Sequence, residues 1–327
     1  MYSLDRSNIE SNRGRSMFIN AYDELVKYLK IPKTKTYFSY FDRGTLTDNH
    51  NNKLISQGWK TEEIFHTMKD CDTWKIDDKR EFAHIMRGSS CVPISYLKYS
   101  DFTLHKDNYP ENKVWFIKSR GGTSGKGVYC KYNKEITESP GDQYIIQEEI
   151  ENIDLWEKRK YVIRSYILIW NKKAFFHKKA LAFVHGQDYE STTSHEVQVS
   201  HAGYWSKTGA VKVNSLEKIG EVNGKTRKMY PMLQELLYEV STTLCKKFKT
   251  MIDASTDKKY LILGTDFLVV NNNSKYSLKI VEVNRYPNIS HTNEVNRDVN
   301  ERMIRDTMVL LYGIDHPLGH EYIEIKC

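Results

Sequence analysis

The chain has 327 residues, 39% of them hydrophobic and 12% aromatic, and 49 Lys and Arg against 42 Asp and Glu give a net charge of +7. That content suits one large domain or two or three lobes with real cores, and it excludes wholesale disorder. No apolar run approaches the roughly 20 residues of a membrane span, the Met1–Arg6 start lacks an apolar signal core, and the five scattered cysteines, without a C-x-x-C pair, argue against a disulfide framework or a zinc knuckle. A cytoplasmic protein of a reducing compartment is expected, with no membrane partner.

In chain order, Leu25, Val26 and Leu29 predict a short helix over Ala21–Leu29, stopped by Pro32. Alternating aromatics predict a strand over Thr36–Phe41. Thr61–Met68 and Lys79–Met86 read as helices, the second opening after Asp77 and Asp78, which suit a helix N-terminus. Residues 1–110 are thus read as a small α/β lobe. The text changes from Lys113. Val114–Lys118, Val128–Lys131 and Tyr144–Glu148 read as strands. Lys160–Trp170 and Lys173–Val184 read as an antiparallel pair turning at Asn171-Lys172. Tyr230–Phe248 reads as an amphipathic helix, Tyr260–Val270 and Tyr276–Asn284 as a hairpin, and Val295–Leu311 as a closing helix. Antiparallel strands with interspersed helices define an α+β class, with a central lobe over 111–150 and a C-terminal lobe over 151–327.

Two segments carry candidate chemistry. The first is the glycine-rich loop between two predicted strands, Lys118-Ser119-Arg120-Gly121-Gly122-Thr123-Ser124-Gly125-Lys126-Gly127. Arg120 and Gly127 break a Walker A pattern, and the strand after the loop breaks a dinucleotide fingerprint, which needs a helix there. What remains is a hairpin tip, either an ordinary one or one whose backbone N–H groups, hydroxyls and Lys126 fold over a polyphosphate. In that case Lys118 is a fixed cation from the preceding strand. The second is the hairpin with Asp266 on one strand and Glu282 and Asn284 on the other. Period-two geometry puts Glu282 and Asn284 on one face. A turn near Asn273 sets Asp266 diagonal to Glu282, with Leu261, Leu263, Phe267, Val269, Val281 and Val283 on the opposite, core face. Adjacent carboxylates repel, and a hard cation such as Mg²⁺, shared with phosphates, relieves that.

Together these segments resemble the ATP-grasp fold and, more narrowly, the tubulin–tyrosine ligase-like family, over about Lys113–Ile289. Five blocks stand in family order. Val114–Lys118 with its loop resembles the ATP lysine and flexible loop, and Tyr144–Ile150 the adenine hinge. Arg159–Leu168 resembles the R-K-F-D-[IL]-R block, Gly264–Phe267 the G-x-D-F strand, and Glu282-Val283-Asn284 the E-V-N metal motif. The resemblance implies ATP held by Lys118, Gly121, Gly122, Ser124, Gly125, Lys126, Gln147, Glu148, Glu149, Ile150 and Lys160. It implies Mg²⁺ on Asp266, Glu282 and Asn284, and Arg164 beside the reacting phosphoryl group. Arg285 is a candidate for gripping the acceptor carboxylate. The chain departs from the pattern at Val162, where the family has Asp, at Phe183, where it has Arg, and over Ser194–His201, where it has H-L-T-N.

The implied activity is ADP-forming, carboxylate–amine ligation. A carboxylate acceptor, either an acidic peptide or protein tail or a small acid, becomes an acyl phosphate and is captured by an amino acid or other amine. The alternative is an ATP-binding regulatory module without ligase activity. Nucleic-acid binding is not expected, because the basic residues are dispersed and no nucleic-acid motif is present.

Overall fold

The structure, a computed structural model, describes residues 73–122, 125, 127–199, 212–222, 224–285, 287–289, 291 and 293–327, with shorter pieces at 17, 20–21, 24–25, 37–38, 56 and 64–68.

Met17, Asn20, Ala21, Glu24 and Leu25 have helical backbone, and β1 (Tyr37–Phe38) runs parallel to β2 (Ile64–Thr67). The Thr61–Met68 window, expected as a helix, therefore holds a strand. It lies between β1 and β14, and its His66 and Thr67 pair with Lys259 and Tyr260 far along the chain. Long-range ladder pairing overrides the local helical spacing, and the β-branched and aromatic residues suit a pleated surface. Then come α1 (Trp74–Asp77) and α2 (Lys79–Ile85). The side chain of Asp78 caps α2 by accepting from the N–H groups of Arg80 and Glu81, both at 3.0 Å.

A small antiparallel sheet follows: β3 (Ser95–Tyr96), then α3 (Tyr99–Thr103), β4 (Val114–Ser119), β5 (Val128–Tyr132) and β6 (Tyr144–Glu148), in spatial order β3-β6-β4-β5. Its core is aromatic. Trp115 stands edge-on to Phe102 and Tyr109, with ring centroids at 5.1 and 4.9 Å, and Ile117, Ile136 and Ile146 fill the remainder.

The second sheet begins with β7 (Leu155–Trp156), β8 (Arg159–Trp170), β9 (Lys173–His177) and β10 (Leu181–Asp188). The strand expected over Lys173–Val184 is thus two. Both halves pair with β8, but the Lys179 N–H donates to Nδ1 of His177 at 3.2 Å, which pulls residues 178–180 out of the ladder. Next come α4 (His195–Gln198), β11 (Lys212–Ser215), α5 (Leu216–Ile219), the small pair β12 (Glu221–Val222) and β13 (Lys225–Thr226), and the helices α6 (Tyr230–Lys247) and α7 (Lys249–Asp253). The long hairpin β14 (Lys259–Asn272) and β15 (Lys275–Asn284), α8 (Glu301–Tyr312) and β16 (Tyr322–Ile325) complete the chain. The large sheet runs β1-β2-β14-β8-β10-β11, with β15 on β14, β7 and β9 on β8, and β16 on β9. Leu233, Leu237 and Leu244 of α6 cover one face, while Met303, Ile304 and Met308 of α8 cover the other. Alternate residues of β8 and β14 feed the two cores, so both strands are buried along nearly their whole length and mostly apolar, with Lys160, Arg164 and Asp266 as the buried charged exceptions. The described part of residues 1–110 supplies β1 and β2 to the large sheet and β3 to the small one. No described helix is long and apolar enough to cross a membrane.

Candidate active site

The site lies in the cleft between the two sheets, about 810 Å³ of empty space including some open solvent. Its acidic wall depends on one extra residue. β14 and β15 turn at Asn273-Ser274, both left-handed (φ 53 and 69), and pair from Asn272↔Lys275 to Phe267↔Ile280. In that register, Asp266 would oppose Val281, and Glu282 would point into the core. Instead the register shifts, and the ladder resumes as Asp266↔Glu282, Thr265↔Val283 and Gly264↔Asn284. Val281 is the bulged residue. Two expectations from sequence are corrected here. Asp266 is directly opposite Glu282 rather than diagonal to it, and Val281 lines the cleft and packs against the other core cluster rather than joining Leu261, Leu263, Phe267, Val269 and Val283.

Each carboxylate has its own cation. Both oxygens of Asp266 accept from Arg164, from Nε and Nη2 at 2.7 Å, and both residues are buried. The guanidinium carbon lies 4.9 Å from the ring centroid of Phe183, so Arg164 is held on an edge and on a face. Gly264 makes room beside it, since a Cβ there would stand 2.6 Å from Cβ of Pro287 and 3.3 Å from Cδ of Arg164. Asn284 Nδ2 donates to Asp266 at 3.4 Å. Glu282 pairs with Lys79 at 3.1 Å. Burial pushes its carboxyl up in pKa, but Lys79, Lys118 and Arg164 together outweigh that and hold it below the ordinary carboxylate value. Asp77 is shifted the other way, raised first by burial and also by the nearby Glu282, against the pull of Arg285.

Two lysines enter from opposite sheets. Lys118 at the end of β4 donates to Gln147 Oε1 at 2.5 Å, and Lys160 of β8 donates to the carbonyl and Oε1 of Gln198 at 2.9 and 3.2 Å. Both approach the ring of Phe116, at 5.5 and 5.2 Å from its centroid. Burial lowers the pKa of each to about 8. Behind them Glu149 is buried yet satisfied, accepting from Tyr189, Ser191 and Gln198 at 2.9, 2.6 and 2.6 Å. Gln198 therefore spans the buried cation and the buried anion, its oxygen toward Lys160 and its nitrogen toward Glu149.

The glycine-rich loop is tied at its base by Ser119 N–H to the Gly127 carbonyl at 2.9 Å. A Cβ at Gly127 (φ 72) would meet Ser119 Oγ at 2.4 Å, so both the turn and the close approach require glycine. Lys79 Nζ holds the Gly122 carbonyl at 2.6 Å, and His195 Nε2 lies 3.4 Å from the Gly125 carbonyl.

The cleft thus gathers, of the candidates from sequence, Lys118, Gly122, Gly125, Gln147, Glu148, Glu149, Ile150, Lys160, Asp266 and Glu282. Arg164 and Asn284 reach it through Asp266. Gly121 sits on the same loop beside Gly122. Ser124 and Lys126 lie outside the described residues. Arg285 is not a lining residue, and its Nη1 donates to Thr73 Oγ1 at 3.1 Å. Sequence reading passed over Lys79. It stands at the first turn of a helix chosen for its Asp78 cap, and no local pattern marks a residue whose two partners lie 43 and 203 positions away. Gln198 was visible only as a departure from H-L-T-N.

Asp266, Glu282 and Asn284 fit a magnesium ion by their chemistry. All three offer hard oxygen atoms at alternate ladder positions, and the two carboxylates face each other across one register pair. Among the described residues no group of three His, Cys, Asp or Glu side chains is arranged to hold a metal. Two carboxylates and an amide leave the remaining positions to water and phosphate oxygens, as Mg²⁺ prefers.

The two clamping sheets with this cleft make an ATP-grasp fold. The solved C-terminal domain of K. lactis Pby1, described as an ATP-grasp enzyme interacting with the mRNA decapping enzyme Dcp2, superposes with a TM-score of 0.62 over 97% of each chain at 15% identity. A family model, the tubulin-tyrosine ligase family, matches residues 49–203. The chain has the ATP-grasp fold and resembles this family over that stretch. It is 23% identical over 240 residues to tubulin glycylase 3C of Tetrahymena thermophila, covering 64% of this chain and 22% of that protein. Tubulin polyglutamylase ttll6 of Danio rerio is 22% identical over 247 residues, covering 68% and 31%. The chain therefore spans between about a fifth and a third of the length of the curated relatives it matches.

Proposed function

We propose that this chain is an ATP-dependent, ADP-forming carboxylate–amine ligase that joins an amino acid to a carboxylate through an acyl phosphate. One observation carries the reading: Lys118 and Lys160, from opposing sheets, converge over Phe116 beside the Asp266–Glu282 pair. Such a pocket is matched to a triphosphate and a divalent ion. Apolar Val162, Leu268, Val281 and Ile150 line it together with Gln147, Glu148 and Glu149, and a flat base would rest among them. Asp266, Glu282 and Asn284 would hold Mg²⁺, which, when bound, supplies charge neutralisation between phosphates.

The chain's own groups then have separable tasks. Lys118 and Lys160 orient the phosphates. Arg164, fixed by Asp266 and Phe183, is a stationary cation for charge that develops as the acceptor carboxylate attacks the γ-phosphorus. The loop, tied by Lys79 and His195, excludes water that would hydrolyse the acyl phosphate before the amine attacks. Arg285 is retained as a candidate acceptor grip, in which case its hydrogen bond to Thr73 is exchanged for the substrate. The names of the relatives favour a protein-tail carboxylate as acceptor and glycine or glutamate as amino acid.

The test is to incubate the protein with Mg·ATP, single amino acids and a panel of acidic peptides that includes tubulin tails, measuring ADP and peptide mass. Amino-acid-dependent ADP formation with a matching mass gain is expected. Tight ATP binding without product in every combination selects the regulatory-module alternative.

A pH dependence follows from the two lysines. Each is charged below about pH 8 and neutral above it, and bound phosphates favour the charged form. Binding near pH 8 therefore takes up protons, and affinity is constant below about pH 7 and falls above 8, by up to about tenfold per unit for each lysine. Isothermal titration in buffers of different protonation enthalpy reads the uptake directly. An affinity that is flat from pH 7 to 9.5 contradicts the placement of phosphates on these lysines.

A further inference from the structure

One wall of the cleft buries two opposite charges that do not meet. Lys160 of β8 is 6% exposed, and Glu149, just after β6, is 5% exposed. Among the described residues the two make no direct ion pair, and each is bonded to Gln198 of α4 instead. Gln198 is itself 2% exposed, so its amide is walled in between them. The orientation of that amide is compelled: an ammonium only donates and a carboxylate only accepts, so the oxygen faces Lys160 and the nitrogen faces Glu149. The amide nitrogen also donates to the Thr192 carbonyl at 2.9 Å, and the Gln198 main-chain N–H donates to the Ser194 carbonyl at 3.0 Å. The side chain is thus held by its own stretch of chain as well as by the two charges. The other ionisable groups about Lys160 are Cys130 of β5, Lys118 of β4, Tyr189 and, on the same cleft wall, His185 of β10. Burial pushes the Cys130 thiol up to about 12 and raises Tyr189 too, so neither is an anion near neutrality. His185 Nδ1 donates to the Val197 carbonyl at 2.8 Å, and Lys118 repels Lys160. Glu149 is the carboxylate whose field reaches Lys160.

We propose that Gln198 is a positioning residue whose amide holds Lys160 apart from Glu149 and so keeps the ammonium directed at the phosphates of the nucleotide, a role that rests on the reading of this cleft as an ATP site. In a wall that excludes water, an ammonium and a carboxylate attract strongly. A lysine paired in that way has its charge neutralised before a phosphate arrives. A neutral amide satisfies both ions by hydrogen bonds without letting them meet. Lys160 then keeps the Gln198 carbonyl at 2.9 Å and the Phe116 ring at 5.2 Å, the same ring that Lys118 approaches. Gln147 does the corresponding work for Lys118, accepting from it at 2.5 Å and donating to Ser95 at 2.9 Å. Each of the two lysines is therefore held by a glutamine oxygen rather than by a carboxylate.

The experiment follows the carbon NMR signal of Lys160 Cε against pH in the full chain, without nucleotide, the signal being assigned by its loss in Lys160→Arg. In the parent the midpoint lies at about 8. In Gln198→Leu the two ions close on each other, and the midpoint rises by at least about one pH unit, because an adjacent opposite charge favours the charged form. Adding Glu149→Gln removes that charge and returns the midpoint to the parental value or below it. Calorimetry shows ATP affinity falling about tenfold to a hundredfold in Gln198→Leu, the scale of one hydrogen bond to a charged group. A merely structural Gln198 would lower the urea midpoint and leave the Lys160 titration in place. If Gln198→Leu does not fold, Gln198→Asn, one methylene too short to span both partners, carries the same comparison. A Lys160 midpoint that stays or falls in the single variant, or that stays high when Glu149 is also replaced, overturns the proposal, as does an unchanged ATP affinity. A parent that binds no ATP removes the nucleotide reading itself, while the titration still decides whether Gln198 separates the two charges.

Discussion

Glu282→Gln is expected to lower ADP formation by at least roughly a hundredfold, the scale for removing one electrostatic group from a reacting centre, with the fold intact. The substitution keeps shape and one oxygen but removes the charge that faces Asp266 across the ladder and pairs with Lys79 at 3.1 Å. Glu282 is half-buried, so water can take over Lys79 and the cost to stability is small. Circular dichroism and the urea midpoint should match the parent, while ATP turnover collapses. Turnover at the parental rate would remove Glu282 from the metal site and from the proposed mechanism.

Arg164→Met is expected to cost stability as well as activity. Asp266 is buried and gives both oxygens to Arg164. Removing one partner of such a pair leaves an uncompensated buried charge, which costs about 3–5 kcal/mol. Asp266 would retain only the 3.4 Å contact from Asn284 among the side-chain bonds described. Urea unfolding should show a lower midpoint at unchanged slope. Adding Asp266→Leu should recover much of the loss, because the pair is replaced by apolar groups rather than broken. Loss of activity without loss of stability would mean that Arg164 is not the partner that compensates the buried Asp266 carboxyl.

The parts of this arrangement visible in sequence were those set by local rules. The Asp78 cap fixed the start of α2. The Asn273-Ser274 turn and apolar stripes of β14 and β15 marked the hairpin. Asp266, Glu282 and Asn284 stood out because carboxylates are unusual on a strand otherwise built to be buried. What escaped was set by distance. Residues 64–67 joined a sheet through partners nearly 200 positions away, against their helical spacing. The bulge at Val281 leaves no mark in composition, yet it decides which face carries Glu282. Lys79 acquired its role only when α2 was brought against both the loop and β15.

The most direct measurement of the central claim is a calorimetric titration of the protein with ATP, with and without Mg²⁺. The account predicts binding that tightens with the ion, that weakens in Lys118→Ala and that loses its dependence on Mg²⁺ in Glu282→Gln. No binding of ATP, or binding indifferent to both the ion and these substitutions, would contradict it.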